Sequence, residues 1–362
     1  MMAGISLDLT LIWALIIATA VFLYVVMDGF DLGLGILFPV VRGKPERDVM
    51  VNTVAPVWDG NETWLVMGGG GLLAVFPLAY AIILPALYMP VILMLLALVF
   101  RGVSFEMRFR AATAQGQLWW DRAFSWGSYV AAFLQGVMLG ALVQGIRVAD
   151  GAYAGGWWDW LTPFSVFTGV AVVIGYGLLG ACWLVWRTEG ALQAEARRFA
   201  RGLGVATLAC IVAVSAAMPF LQPSFRDRWF TLPNLVLAAP VPILVALLGW
   251  ALFRALGAAD RRADAEAGGA GEGTERRGRL AHDGMPFLCA LGLFGLSYAG
   301  LGVSMWPLIV PPDITIWQAA AAPSSQLFLL VGAAVLIPVI LAYTGYVYWL
   351  FRGKVRADQG YH

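Results

Sequence analysis

Long apolar stretches dominate the chain and are separated by short segments that carry most of the charged residues. A helix needs about 20 consecutive apolar residues to cross the hydrocarbon core of a bilayer, and the stretches recur at about that length. The pattern therefore predicts nine membrane-spanning helices. Their approximate positions are residues 8–38, 52–76, 78–101, 123–147, 163–187, 202–222, 232–254, 285–308 and 325–351.

Composition supports this interpretation, because 60% of the 362 residues are hydrophobic and only 12% are charged. We expect an all-α polytopic membrane protein with a single integral membrane domain over residues 1–362. Residues 258–281, rich in Gly, Ala and charge, predict a flexible cytoplasmic linker between the seventh and eighth helices. Gly29, Gly33 and the run Gly68–Gly71 predict close helix packing.

The basic residues are distributed very unevenly between the two sides of the predicted topology. Of 23 Lys and Arg residues, 20 fall at one set of helix ends, and the exceptions are Arg147, Arg226 and Arg228. Basic residues collect in cytoplasmic loops. The sequence therefore predicts an N-terminus outside and a C-terminus in the cytoplasm.

Two acidic clusters lie inside segments that should otherwise face lipid. Asp28 and Asp31 belong to the first predicted span, and Asp59 and Glu62 begin the second. An acid at the bilayer centre costs about 2.5 to 3.5 kcal/mol, so four acids in neighbouring helices need a function. Within each cluster the acids are three residues apart, which predicts that they share a helix face in the cytoplasmic half. Proton or ion handling is the leading hypothesis.

Simpler interpretations of the charges remain open at this stage. Asp31 and Glu62 could reach the headgroup zone or pair with Arg42 and Arg47. Arg101, at the end of the third span, could bind anionic headgroups, or it could neutralise an acid of the first two spans, which suits a guanidinium because it stays charged when buried.

Residues that could hold a redox cofactor are scarce in this sequence. The two histidines, His282 and His362, lie outside the predicted spans, and Cys182, Cys210 and Cys289 are isolated from one another. We therefore expect no metal site, no catalytic residue and no haem bound by this chain alone. The net charge of +1 says nothing about nucleic acid, and we expect no nucleic-acid partner.

Several linked motifs resemble subunit II of cytochrome bd-type quinol oxidases. The resemblance covers essentially the whole chain, and the form Glu62-Thr63-Trp64 looks like the cyanide-insensitive branch. The matching segments are Val26–Gly33 (VMDGFDLG), Ala55–Trp64 (APVWDGNETW), Arg101–Glu106 (RGVSFE), Arg187–Gly190 (RTEG) and Ala322–Gln326 (APSSQ).

The resemblance implies a nine-helix subunit, arranged as two four-helix bundles plus one peripheral helix, in the inner membrane of a bacterium. It implies a partner, subunit I, that carries b-type haem and haem d, or a b-type substitute, and oxidises quinol. The complex would reduce O₂ to water with cytoplasmic protons, in contact with lipids and quinone. The type of quinone and the presence of a small accessory single-helix subunit are left open.

Residue roles also follow from the resemblance. Asp59, in the Trp-Asp-Gly-Asn motif, would belong to a proton path toward the haems of subunit I, with Asp28 nearer the entrance. Val57 stands where some members of the family have a histidine. The other residues implied are Asp31 and Glu62 in the proton path, and Trp58, Asn61, Arg101 and Glu106 as supporting residues.

Two rival functions fit parts of the sequence. Paired acids in adjacent spans are also what a proton-coupled transporter uses. A purely structural anchor would tolerate the loss of the Asp59 carboxylate. Co-purification with a haem-bearing chain distinguishes the oxidase subunit from a transporter that moves solute alone.

Overall fold

The computed structural model describes residues 8–232, 234–267 and 282–355, and these are almost entirely helical. The helices are α1 (Leu9–Leu37), α2 (Lys44–Asn52), α3 (Trp58–Val75), α4 (Pro77–Ala86), α5 (Tyr88–Arg110), α6 (Ala114–Gln144), α7 (Pro163–Arg187), α8 (Gly190–Leu221), α9 (Pro223–Phe230), α10 (Asn234–Ala238), α11 (Pro240–Ala267), α12 (Met285–Met305), α13 (Ile316–Ala319) and α14 (Pro323–Leu350). Two antiparallel hairpins complete the description, β1 (Val148–Ala149) with β2 (Ala152–Tyr153), and β3 (Leu308–Val310) with β4 (Ile314–Thr315).

The all-α polytopic membrane architecture is confirmed, although the count of nine spans stays a prediction. In the described ranges, eight helices are long and apolar enough to cross a membrane. The second predicted span, α3, is not among them, since its 18 residues include Asp59, Glu62 and four consecutive glycines. The division into two four-helix bundles and a peripheral helix likewise stays a prediction.

Helix boundaries differ from the predicted spans where polar turns extend a helix beyond its apolar part. Helix α8 begins at Gly190 although the apolar stretch begins near residue 202, and α6 begins at Ala114. These extensions are rich in Ala, Arg, Gln and Glu, which favour helix without favouring lipid. Helix α11 likewise continues through Ala267, so residues 258–267 of the predicted linker are helical, and residues 268–281 lie outside the described residues.

The third predicted span is divided into two helices. Helix α4 ends at Ala86 and α5 begins at Tyr88, with Pro85 and Pro90 on either side of the break. A proline lacks the N–H that would continue the helical hydrogen bonds, so two of them separated by a few residues end one helix and begin the next. Helix α2, which no apolar pattern predicts, lies in the loop before α3.

Helix α7 forms the centre of the packing. It contacts α1, α6, α8 and α12, and 72% of its apolar window is buried, more than in any other span. Helix α1 also packs against α3 and α6, while α5 packs along α6. By contrast, the apolar window of α14 has no buried residue, which places this helix at the periphery.

Close backbone contact joins α1 to α7. A Cβ built at Gly33 would lie 2.0 Å from the carbonyl oxygen of Tyr176 and 2.8 Å from the amide nitrogen of Gly180. Only a residue without a side chain allows this approach, as the sequence predicted for Gly33. The run Gly68–Gly71 behaves less uniformly, because Gly68 and Gly71 face α1 whereas a Cβ at the two glycines between them would contact nothing.

The first half of α1 is apolar. The helix is capped at its N-terminus by Asp8, whose Oδ1 accepts a hydrogen bond from the amide of Leu11 at 3.1 Å. Between Ala14 and Leu23 the single polar side chain is Thr19, and its hydroxyl donates to the carbonyl of Leu15 within the same helix. Ionisable groups of α1 therefore begin at Tyr24 and continue toward its C-terminal half.

Candidate functional site

Asp28 and Asp31 are both fully buried in the C-terminal half of α1. They are separated by three residues, so their side chains project from neighbouring positions on one face of the helix. That face is directed at α3 and α5 rather than at the outside of the bundle. Burial of two carboxylates in this way requires partners that compensate for their lost hydration.

Arg101 of α5 supplies the compensating charge. Its Nη2 lies 3.0 Å from Oδ1 of Asp28 and 3.7 Å from Oδ2 of Asp31, and its Nη1 forms an ion pair with Glu62 of α3. The guanidinium is completely buried. Of the two alternatives left open by the sequence, neutralisation of acids from the first two spans is therefore confirmed.

Asn61 donates a hydrogen bond to one oxygen of Asp31 and is itself held by Tyr348, while Oδ1 of Asp31 is buried without a hydrogen-bond partner in the described part of the chain. The amide Nδ2 of Asn61 donates to Oδ2 of Asp31 at 2.8 Å, and the hydroxyl of Tyr348 on α14 donates to Oδ1 of Asn61 at 2.9 Å. Asn61 is fully buried. Asp31 therefore does not reach the headgroups or pair with Arg42 or Arg47, and that alternative is wrong for this residue.

Aromatic rings cover the guanidinium. The rings of Trp58 and Phe105 stack with centroids 4.9 Å apart and an interplanar angle of 11°. The Cζ of Arg101 lies 5.7 Å from the Trp58 centroid and 5.3 Å from that of Phe105. These cation–π contacts stabilise the charge while limiting access of water.

Charge balance determines what this group of residues can do. Asp28, Asp31 and Glu62 carry three negative charges when ionised, and Arg101 contributes one positive charge. Uncompensated charge in a low-dielectric site is costly, and a group of carboxylates relieves that cost by binding a proton. The acid cluster, defined here as Asp28, Asp31, Glu62 and Arg101, is therefore chemically suited to take up and release protons.

Asp59 and Glu106, two of the residues predicted for the site, lie apart from the acid cluster. Asp59 is exposed in the first turn of α3, about 60° around the helix from Glu62, which points toward Arg101. Glu106 is 67% exposed and pairs with Arg110 at 3.5 Å. The expectation that Asp59 and Glu62 share a helix face toward the bundle is therefore wrong for Asp59.

The place of Asp28 along the proposed proton path stays a prediction. The resemblance implies that Asp28 lies nearer the entrance than Asp59, and in the structure its side chain is fully buried beside Arg101. The member of the acid cluster that reaches the surface is Glu62, whose side chain is 26% exposed.

A second arginine cluster, which the sequence did not predict, lies two helical turns further along α5. The Nη1 of Arg108 is 2.6 Å from Oδ1 of Asp48, and its Nε donates to Oδ1 of Asp121 at 2.6 Å. Arg47 contacts the other oxygen of Asp121 at 3.5 Å. The sequence does show Arg108 and Asp121 on either side of the short loop between α5 and α6. Charged residues beside a loop are normally solvated, so this pattern did not predict a buried ion pair. This network anchors α2 against α5 and α6.

Metal-binding groups of His, Cys, Asp or Glu were not found in residues 8–232, 234–267 and 282–355. In this part of the chain the three cysteines are free thiols, with Cys182 and Cys289 buried. His282 precedes α12 and is exposed, while His362 lies outside the described residues.

Comparison with known proteins gives consistent matches over nearly the full length. A sequence model of the family described as cytochrome bd terminal oxidase subunit II matches residues 9–351. The chain is 30% identical over 385 residues to cytochrome bd-I ubiquinol oxidase subunit 2 of Escherichia coli, covering 97% of this chain and 96% of that protein. It is 26% identical to cytochrome bd ubiquinol oxidase subunit 2 of Bacillus subtilis, covering 95% and 96% respectively.

Similarity extends to the fold. A chain in the structure of bd oxidase from Geobacillus thermodenitrificans superimposes with a TM-score of 0.70 over 95% of this chain and 98% of that one. Sequence identity in this comparison is 16%, so it establishes a shared fold.

Proposed function

Because the chain belongs to the cytochrome bd terminal oxidase subunit II family, we propose that it stabilises a haem-bearing subunit I and carries cytoplasmic protons toward it for the reduction of O₂ to water. Haem b and haem d, or a second b-type haem, would lie in subunit I together with the site of quinol oxidation. This chain would contribute residues that bind and move protons.

The observation that carries the proposal is the acid cluster. Three carboxylates surround one buried guanidinium inside membrane helices, an arrangement whose excess negative charge is relieved when a proton binds. A structural ion pair would need only one carboxylate for Arg101. The additional acids are therefore best explained by proton transfer.

An outward-facing surface on α3 supports a route from the cluster to subunit I. Glu62 is partly exposed, Asp59 is exposed beside it, and Val66 is 73% exposed. Gly69 and Gly70 leave this surface flat, since a Cβ at either position would touch nothing. Acids in a membrane helix are normally covered by protein or water, so we place subunit I on this surface, with Asp59 as the point of transfer.

A proton-coupled transporter would also use paired acids, but the family match over residues 9–351 does not favour it. The same match favours a multi-pass protein of the bacterial inner membrane. A solely structural anchor remains the main competitor, and the following experiment separates the two.

The experiment measures O₂ consumption per haem in the assembled complex for wild type, Asp59→Asn, Asp59→Glu and Asp28→Asn. Asparagine keeps the shape of aspartate but cannot carry a proton, so we expect Asp59→Asn to assemble with its full haem content and to lose at least about tenfold in rate, which is about 1.4 kcal/mol. Asp59→Glu should recover part of the rate. Since Asp28 is buried against Arg101 and cannot be bypassed by water, Asp28→Asn should be equally slow.

Asp313→Asn provides a matched control, because Asp313 is exposed in the turn between β3 and β4. It should retain the wild-type rate. Equal rates in wild type and Asp59→Asn would make Asp59 structural, and loss of haem together with activity would identify an assembly residue instead of a proton carrier.

A further inference from the structure

One side chain of the peripheral helix α14 reaches inward to the acid cluster. The apolar window of this helix has no buried residue, yet Val347 and Tyr348 near its C-terminal end pack against the main hydrophobic core. The ring of Tyr348 meets that of Trp183 on α7 edge to face, with centroids 6.3 Å apart and an interplanar angle of 82°. Its hydroxyl therefore lies inside the bundle, 2.9 Å from Oδ1 of Asn61.

The residues that follow α14 are fastened to the neighbouring helices. Nη2 of Arg187, at the end of α7, donates to the carbonyl of Phe351, and the amide of Val355 donates to the carbonyl of Arg187 at 2.8 Å. Nζ of Lys354 pairs with Asp283, just before α12, at 2.6 Å. These contacts begin within one helical turn of the inward-facing tyrosine, so they hold that turn of α14 against the bundle.

The side-chain amide of Asn61 lies between acceptors on one side and a donor on the other. Its Nδ2 is 2.8 Å from Oδ2 of Asp31 and 3.5 Å from the carbonyl oxygen of Met27, and an ionised carboxylate and a carbonyl both accept hydrogen bonds. The nitrogen belongs on that side, which directs Oδ1 toward the hydroxyl of Tyr348. Because Asn61 is fully buried, removal of the hydroxyl would leave a buried carbonyl oxygen without its donor, which is costly.

The direction of the Asp31 carboxylate depends on this amide. In the described part of the chain, Oδ1 of Asp31 is buried without a hydrogen-bond partner. Nη2 of Arg101 lies 3.7 Å from Oδ2, which is longer than a hydrogen bond. The guanidinium therefore supplies charge, whereas the amide of Asn61 supplies the directional contact. A displacement of the amide would move an oxygen of the acid cluster.

We propose that Tyr348 is a positioning residue for proton transfer through the acid cluster and that it acts through Asn61. This inference rests on the proposed function. The tyrosine holds the carbonyl of Asn61, the amide nitrogen of Asn61 holds Oδ2 of Asp31, and the contacts of residues 351–355 keep the tyrosine in place. A helix that contributes little to the core thus sets the orientation of a carboxylate on α1.

Infrared spectroscopy of the assembled complex with isotope-labelled aspartate tests the inference. The contribution of Asp31 is isolated as the difference between wild type and Asp31→Asn, or Asp31→Glu where asparagine prevents assembly. A changed hydrogen bond alters the stretching frequency of a carboxyl group in either protonation state. We expect Tyr348→Phe to keep the full haem content, to shift the Asp31 band and to lower O₂ consumption per haem by about two- to tenfold, the range that one hydrogen bond supports.

A double variant tests whether the tyrosine acts through the amide. In an Asn61→Ala background, Tyr348→Phe should cause no further shift of the Asp31 band, because effects that pass through one shared residue are not additive. Tyr298→Phe is the matched control, since the Tyr298 hydroxyl also joins two helices but donates to the backbone carbonyl of Ala18 on α1 at 2.8 Å. It should leave both the band and the rate unchanged.

An unchanged Asp31 band in Tyr348→Phe would overturn the inference by itself, whatever the other variants do. A further shift of equal size in the Asn61→Ala background would exclude action through Asn61. A shifted band with a wild-type rate in Tyr348→Phe, while Asp59→Asn is slow, would exclude a positioning role in proton transfer. Failure of the proposed function appears separately, as a wild-type rate in Asp59→Asn.

Discussion

Arg101 contacts three carboxylates from two helices with one side chain. The planar guanidinium offers five N–H donors in a fixed geometry, so it can reach Asp28, Asp31 and Glu62 at once. A lysine ammonium is a single point of charge on a flexible chain and cannot span the same set. The identity of this residue therefore matters as much as its charge.

Replacement of Arg101 should destabilise the protein strongly. Arg101→Leu leaves buried acids without a counter-charge, and loss of one partner of a buried ion pair costs about 3–5 kcal/mol. Arg101→Lys should be intermediate. The measurement is the thermal unfolding temperature of the purified complex. Arg110→Leu serves as control, since its exposed ion pair with Glu106 is worth at most about 1 kcal/mol; comparable losses for Arg101→Leu and Arg110→Leu would contradict the assigned role.

At the scale of residues, the sequence predicted the identity of the cluster better than its geometry. The high cost of burying acids identified Asp28, Asp31 and Glu62 without any structure. The outward direction of Asp59 could not be predicted, because a rotation of about 60° on a helix decides it and the neighbouring helices were unknown. The ion pairs of Arg108 with Asp48 and Asp121 were missed because charges beside loops are normally solvated.

At the scale of elements, the crossing of α1 and α7 depends on contact between backbones. The Cβ of a larger residue at Gly33 would overlap the carbonyl of Tyr176, and a backbone atom cannot move aside as a flexible side chain can. The helices themselves were predictable from apolar length. Their ends were not, because charged turns continue α8 and α11 beyond the apolar stretches.

Gly33→Ala should destabilise the complex by about 1–3 kcal/mol, as expected for overpacking. Gly332→Ala is the matched control on the exposed side of α14, where a Cβ would contact nothing. Alanine favours helix over glycine, so this control should be neutral or gain up to about 1 kcal/mol. Thermal unfolding of both variants checks the difference, and equal stability would mean that α1 and α7 can separate without cost.

At the scale of the whole molecule, the orientation in the membrane is the prediction on which the proton path depends. The 20 to 3 asymmetry of basic residues predicts that residues 268–281, after α11, are cytoplasmic. A cysteine introduced at Gly269, which lies outside the described residues, should react with an impermeant thiol reagent only from the cytoplasmic side of sealed vesicles. Asp150→Cys, in the turn between β1 and β2, should react only from the opposite side, and the reverse pattern would invert the topology.

The apolar first half of α1 has an electrical consequence. From Ala14 to Leu23 the helix spans about 15 Å with no ionisable side chain, so α1 itself offers no group that could pass a proton between the acids and the predicted outer side of the membrane. Under the proposed function protons are taken from the cytoplasm, and a voltage builds up across the bilayer when the quinol releases its own protons on the opposite side and charge cannot leak back along this helix. Each elementary charge separated in this way stores about 2.3 kcal/mol per 100 mV. The apolar segment of α1 would thus help the reduction of O₂ to water to maintain a membrane voltage, without any step that pumps protons across the bilayer.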